Sequence, residues 1–219
     1  MKTFQRILCP QCLRSPINCY CREIEKFDPG FPVVILTHPR EAQKHIATGR
    51  LAHRCLKGSI FLTDYDFSSN QELRALLENQ SFHPLVLFPG NESLNLSRLS
   101  SHEKSSVIPP QKTPLLIAID GTWSTARKTM RRCSTLEKLP QISFDSVTPS
   151  RIRIREQPEP SCLSTIEAIH RGIELMAPAC GLSLEKRPHD ALLRSLDRMI
   201  DRQILLARAH HALLWSSTL

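Results

Sequence analysis

Leu115-Leu116-Ile117-Ala118-Ile119-Asp120-Gly121-Thr122-Trp123 is the stretch whose reading decides the fold. An unbroken apolar run, without the polar alternation of a half-exposed strand, predicts a strand covered on both faces. The run stops at an acid and a glycine, and Ala126 to Arg132 then reads as a helix. The same figure recurs upstream. Phe31 to Leu36 is apolar and β-branched and ends in Thr37-His38-Pro39-Arg40-Glu41. Residues 41–56 follow as one helix, with Ala42, Ile46, Ala52 and Leu56 near one face. Ser59 to Leu62 is a short strand ending in Thr63-Asp64, ahead of a helix over residues 70–78. Pro84 to Phe88 is the next strand and ends in Pro89-Gly90. Strands alternating with helices predict an α/β protein with a mostly parallel sheet and helices on both faces. Ligands of such sheets lie beyond the carboxyl ends of the strands. His38-Pro39, Phe88-Pro89-Gly90 and Asp120-Gly121-Thr122-Trp123 are therefore expected to converge on one edge.

Further along, residues 91–114 read as a helix-plus-loop crossover and residues 145–162 as irregular chain. Within the latter, Arg151, Arg153 and Arg155 alternate with Ile152 and Ile154, as on the two sides of a strand. Ser164 and Glu167 have capping-box spacing at the start of a helix whose buried face is Ile166, Ile169 and Ile173. A last helix runs from about Asp190 to Leu214, with Leu192, Leu196, Met199, Ile200 and Ala207 as its packing stripe.

Cys9, Cys12, Cys19 and Cys21 form the pattern C-x2-C-x6-C-x-C near the N-terminus. Thiolates this close can hold a tetrahedral metal, and zinc is the usual occupant of an all-sulfur structural site. An iron–sulfur cluster uses the same ligands, and four reduced thiols on a loose arm are the remaining alternative. Cys55, Cys133, Cys162 and Cys180 are scattered among apolar neighbours and read as core residues. The expected division is a knuckle over residues 1–26 and a catalytic domain over residues 27–219.

The 219 residues, 41% hydrophobic and 23% charged, are those of an ordinary globular chain. No apolar run is long enough to span a bilayer, and the N-terminus lacks a signal-peptide core. A cytoplasmic protein with no membrane association and no obligate protein partner is expected. The net charge of +8 raises the prior for a polyanionic partner, nucleic acid above all. Arg127, Lys128, Arg131 and Arg132 abut the strand edge on one side, and Arg40, Lys44, Arg50 and Arg54 on the other, as a phosphate track would. His38, His45 and His53 lack a third ligand with metal spacing. Walker A, G-x-G-x-x-G and nucleophile-elbow motifs are missing, so P-loop hydrolysis and hydride transfer have no support. Asp120 suits a general base, an acceptor for a ligand amine or ribose, or a turn residue. Trp123 suits a base-stacking platform or the core.

Taken in order, C-P-x-C…C-x-C, His38-Pro39-Arg40-Glu41, Leu87-Phe88-Pro89-Gly90, Asp120-Gly121-Thr122-Trp123 and Leu163-Ser164-Thr165-Ile166-Glu167-Ala168 resemble the DTW-domain family from Cys9 to about Ala177. The resemblance implies a SPOUT-like fold with a trefoil knot. It also implies a tRNA-uridine aminocarboxypropyltransferase. Such an enzyme moves the 3-amino-3-carboxypropyl group of S-adenosyl-L-methionine to uridine N3, typically of a variable-loop uridine (tRNA position 47), and releases methylthioadenosine. On that reading Leu87, Phe88, Pro89, Gly90, Gly121, Thr122, Trp123, Leu163, Ser164, Thr165 and Glu167 line the cofactor, together with Asp120 as the catalytic carboxylate. His38, Arg40, Lys44, Arg50, Arg127, Lys128, Arg131, Arg132, Arg151 and Arg153 track the RNA, and the four N-terminal cysteines hold zinc. An RNA-binding zinc module and a SPOUT-like methyltransferase are the rival readings.

Overall fold

The computed structural model describes residues 7–146, 148–154, 159 and 162–216, with side chains to residue 209. Its elements in chain order begin with β1 (Val33–Thr37), α1 (Pro39–Ala42), α2 (Thr48–Cys55), β2 (Ile60–Thr63), α3 (Gln71–Glu78) and β3 (Phe82–Leu87). There follow β4 (Leu94–Asn95), α4 (Ser101–Ser105), β5 (Thr113–Asp120), α5 (Trp123–Arg132), α6 (Ser134–Glu137), β6 (Gln141–Ser143), α7 (Thr165–Cys180) and α8 (Ala191–Ser216). The six strands form one sheet in the order β2-β1-β5-β3-β6-β4, and every pairing is parallel.

Alternation along the central strands assigns the two faces. Val33 and Ile35 of β1, with Leu116 and Ala118 of β5, join a core built with α2, α7 and α8. Val34 and Leu36, with Leu115 and Ile117, join a second core with Leu73 of α3, Met130 of α5 and Leu136 of α6. Helices thus cover both faces, and uninterrupted apolar strands follow from that burial. The long α8 carries Leu192, Leu196, Met199 and Ile200 at 0% exposure. Farther along the same stripe Ala207 is exposed. No helix among the described residues is long and apolar enough to cross a membrane.

Three local expectations change. The helix read over residues 41–56 is two, α1 and α2, with an extended Ala47 between them. The carbonyls exposed by that break are taken up by side chains, Arg50 donating to Lys44 and Arg14 to His45. Trp123 is already helical, because the Thr122 hydroxyl caps α5 by accepting from the Thr125 amide at 3.2 Å. The segment carrying Arg151 and Arg153 is irregular and, among the described residues, pairs with no strand; Arg155 lies outside the described residues. Ile152 is buried there, and the two arginines pair outward with Asp197 and Asp201 of α8.

Candidate active site and metal centre

Parallel register brings the ends of β1 and β5 level, with Thr37 beside Asp120. Asp120 is 4% exposed, and its carboxylate accepts three hydrogen bonds: from the Thr165 hydroxyl at 2.7 Å, the Gly49 amide at 3.0 Å and the Thr37 hydroxyl at 3.3 Å. It therefore fastens β1, the first turn of α2 and the first residue of α7 to β5. Burial pushes the Asp120 carboxyl above its ordinary range, the three donors oppose that rise, and the nearby Glu41 charge adds to it. Gly121 continues the chain at φ +152°, a conformation that favours glycine, and a Cβ there would lie 3.2 Å from the Thr125 side chain.

Beside this knot of hydrogen bonds lies a cavity of about 460 Å³. Leu87, Phe88 and Pro89 wall one side, Trp123 a second, Leu163 and Cys162 a third. Three of the sequence motifs thus meet around one space, of the size and mixed polarity of a small-molecule site. Phe88, Pro89 and Trp123 also wall an adjoining cleft of about 530 Å³ that contains Gly90, Gln141, Arg127 and Arg131. Trp123, with Phe88 and Pro89, lines both. Gln141 and Ser143 flank Ile142 in β6, a strand too short and polar to be read from the sequence, yet it supplies walls to both spaces.

Other expected ligand residues turn inward. Glu167 is 5% exposed and accepts from the Ser164 amide at 2.9 Å, the Ser164 hydroxyl at 2.5 Å, the Ser150 hydroxyl at 2.9 Å and the Arg151 amide at 2.6 Å. The capping box is real, and it also ties the 148–154 segment to α7. Ser164 is buried with it. Thr122 is committed to its cap.

The cations divide in the same way. Arg127, Lys128, Arg131 and Arg132 are exposed on α5, and none is in an ion pair among the described residues. Arg40 is exposed too, and Lys44 pairs with Glu41 at 2.6 Å. Arg50 is not on that surface: it is 9% exposed, and its guanidinium serves the α1–α2 break. His38 caps α1 by accepting from the Arg40 amide and packs edge-on against Tyr65. His45 meets the Leu13 carbonyl and His53 the Ser59 hydroxyl, so the two do not share a helix face.

Near the N-terminus the four sulfurs of Cys9, Cys12, Cys19 and Cys21 lie within 4.8 Å of one another. Cys9 and Cys21 are 3.9 Å apart, Cys12 and Cys19 3.7 Å. With metal–sulfur bonds of about 2.3 Å, the edge of a tetrahedron is about 3.8 Å. The four cysteines therefore form a site shaped for a metal ion. The backbone amides of Cys12 and Gln11 pull the Cys9 thiol down to about 6, while burial pushes Cys12 and Cys21 up. A cation supplies the charge that four crowded thiolates lack. Cys12 and Tyr20 belong to the same core as α7 and α8, and Arg202 donates to the Cys19 carbonyl. The knuckle thus packs against α7 and α8. Cys55 and Cys133 are fully buried, whereas Cys162 and Cys180 are only partly so.

Residues 6–204 match the DTW domain. The chain belongs to the DTW-domain family. A Drosophila melanogaster relative, "tRNA-uridine aminocarboxypropyltransferase 2", is 26% identical over 91% of this chain and 76% of its own length. The Macaca fascicularis protein of the same name is 28% identical over 90% of this chain and 63% of its own length. An Arabidopsis thaliana relative, "tRNA-uridine aminocarboxypropyltransferase A", is 23% identical over 80% of this chain and 74% of its own. No solved structure matches the chain.

Proposed function

We propose that this DTW-domain protein transfers the 3-amino-3-carboxypropyl group of S-adenosyl-L-methionine to N3 of a tRNA uridine, giving 3-(3-amino-3-carboxypropyl)uridine, methylthioadenosine and the proton lost from N3. The observation that carries the reading is the pair of spaces that share Phe88, Pro89 and Trp123 as lining, one walled by the family motifs and the other lined by Arg127 and Arg131. The relatives' names supply the reaction class. The acceptor is placed in the tRNA variable loop on the family resemblance alone.

Leu87, Phe88, Pro89, Trp123 and Leu163 fit a nucleoside-bearing ligand: an aromatic face, apolar walls and backbone groups at strand ends. Bound there, S-adenosyl-L-methionine supplies an electrophilic Cγ and a neutral thioether leaving group. The protein's task is orientation: Cγ, not the methyl, must face the acceptor nitrogen. Gly90 and Gln141 wall the acceptor cleft, and the exposed cations of α5 hold phosphates beside it. Asp120 is a positioning residue on this reading. Its oxygens face Thr37, Gly49 and Thr165 rather than the cavity, so its carboxylate sets where the α2 and α7 starts stand around the ligand. The four cysteines hold zinc, which fastens the N-terminal segment to α8.

Incubating unmodified tRNA with the protein and S-adenosyl-L-methionine, then measuring nucleoside masses, tests the reading. An aminocarboxypropyl shift on uridine with methylthioadenosine released is the expected result. A methyl shift with S-adenosylhomocysteine would make the chain a methyltransferase. tRNA binding with no shift would make it an RNA-binding module.

A further inference from the structure

Away from the cysteines and the strand edge, α7 and the turn before α8 bring His170, Glu174, His189 and Asp190 together. His189 is 0% exposed, and neither ring nitrogen has a hydrogen-bond partner among the described residues. A buried imidazole with both nitrogens idle is costly unless something else uses them. Its Nε2 points at two carboxylates, 3.7 Å from Asp190 Oδ1 and 3.8 Å from Glu174 Oε1. Those separations are too long for hydrogen bonds. They suit two ligands of one ion.

His170 completes the set. Its ring stacks on His189 with centroids 4.5 Å apart, and its Nε2 lies 2.8 Å from the same Asp190 oxygen. The ligand atoms of His170, His189 and Asp190 all lie within 4.8 Å of one another. Bonds of about 2.0–2.2 Å from zinc to nitrogen and oxygen give tetrahedral ligand separations of about 3.4 Å. The observed 2.8, 3.7 and 3.8 Å bracket that value. We propose that His170, His189 and Asp190, with Glu174 as a fourth ligand, form a second metal site that takes a divalent transition ion, zinc above all.

The surroundings are those of a ligand set with support behind it. Arg171 holds the other Glu174 oxygen at 2.5 Å, and Arg187 Nε holds the other Asp190 oxygen at 2.9 Å. Outer hydrogen bonds of this kind orient ligating carboxylates. Arg187 also reaches Asp190 Oδ1 and Glu174 Oε1, the two oxygens the ion would use, at 3.0 and 2.9 Å. Its side chain is half exposed, so those two contacts can give way to the ion without unpacking the core. An entry path exists: His170, Glu174 and Arg187 open on a cavity of about 310 Å³. Imidazole and carboxylate donors together select zinc and its neighbours over calcium or magnesium. The bound ion would clamp α7 to the start of α8. The cavity it borders shares Phe144 and Leu163 with the space walled by Trp123, so the clamp stiffens one wall of the proposed cofactor site.

The test compares zinc content in the full-length protein and two variants, each equilibrated with Zn²⁺, gel-filtered and measured by elemental mass spectrometry. His189→Phe keeps an aromatic ring of similar size against His170, and Asp190→Ala truncates a partly exposed side chain. Each variant is expected to hold one zinc fewer per chain than the wild type. Cobalt bound at the cysteines, read by its thiolate charge-transfer absorption, should be unchanged in both. Should His189→Phe fail to fold, Asp190→Ala still gives the reading, since the surface turn it alters carries no core side chain at that position. Equal zinc in the wild type and in Asp190→Ala would overturn the site. So would a single wild-type zinc that disappears on Cys12→Ser.

Discussion

Gly49 and Asp120, 71 residues apart in sequence, touch: the amide of one donates to the carboxylate of the other at 3.0 Å. A Cβ on residue 49 would stand 2.3 Å from the Asp120 carboxyl carbon, a distance no real side chain tolerates. Glycine at 49 in α2 is thus dictated by the acid that ends β5. Gly49→Ala should destabilise the protein by about 1–3 kcal/mol through overpacking, and lower transfer activity more than tRNA affinity. Urea unfolding and a filter-binding assay read the two effects. Wild-type stability in Gly49→Ala would mean that the contact is not formed.

Asp120 also has a pH signature. Burial raises its carboxyl above the ordinary aspartate range, so the folded state holds this proton more tightly than the unfolded chain. Its contribution to stability is then fully present below about pH 4 and is lost as pH rises through the elevated folded value. Asp120→Asn carries no such proton. The difference in unfolding free energy, wild type minus Asp120→Asn, should therefore fall as pH rises from 4 to 7. A difference that is flat or rises over that window contradicts the raised value.

How far the sequence disclosed this arrangement differs by element. The apolar runs of β1, β3 and β5 were readable because burial on both faces leaves no room for polar alternation. The polar ends of those strands announced the site edge for the same reason. β6 escaped notice because Gln141-Ile142-Ser143 offers only one buried side chain, and its pairing with β3 and β4 is a long-range fact. The α1–α2 break was hidden for a related cause: residues 41–56 have helical periodicity, and the partners that meet the broken segment, Arg14 at the His45 carbonyl and Asp120 at the Gly49 amide, are distant in sequence. Arg50 illustrates the limit for charged residues. By residue type it is one more cation beside Arg40 and Lys44, and only the fold shows its guanidinium turned in to the Lys44 carbonyl.

That distinction is testable on RNA. Arg127 and Arg131 are exposed and rim the cleft, so replacing either by alanine should reduce the slope of log affinity against log salt by roughly 0.7–0.9. Arg50→Ala should leave the slope unchanged and lower the unfolding temperature instead. Titrations of tRNA at several salt concentrations separate the two classes. Identical slopes for wild type and Arg127→Ala would remove α5 from the RNA track.

Removing metal from the cysteine site should be felt across the fold, because Cys12 is fully buried in the core shared with α7 and α8. Structural zinc in small thiolate sites contributes about 10–16 kcal/mol of apparent binding energy. Chelation or Cys12→Ser is therefore expected to lower the thermal midpoint and to loosen α8 along with residues 9–21. Hydrogen exchange reports both. Loosening confined to the knuckle, with α8 protection intact, would show that the two are not mechanically joined.

Trp123 is the residue on which the two-space reading rests. It walls both the motif-lined cavity and the cation-rimmed cleft, so its indole can meet ligands on either side. Trp123→Ala should weaken S-adenosyl-L-methionine binding by about 0.5–1.5 kcal/mol for the lost stacking, and depress the transfer rate further because Cγ is no longer held toward the acceptor. Trp123→Phe keeps an aromatic wall and should recover most of the rate. Binding by calorimetry and single-turnover transfer resolve the two contributions. A Trp123→Ala variant with normal transfer would leave the indole without a role in the reaction.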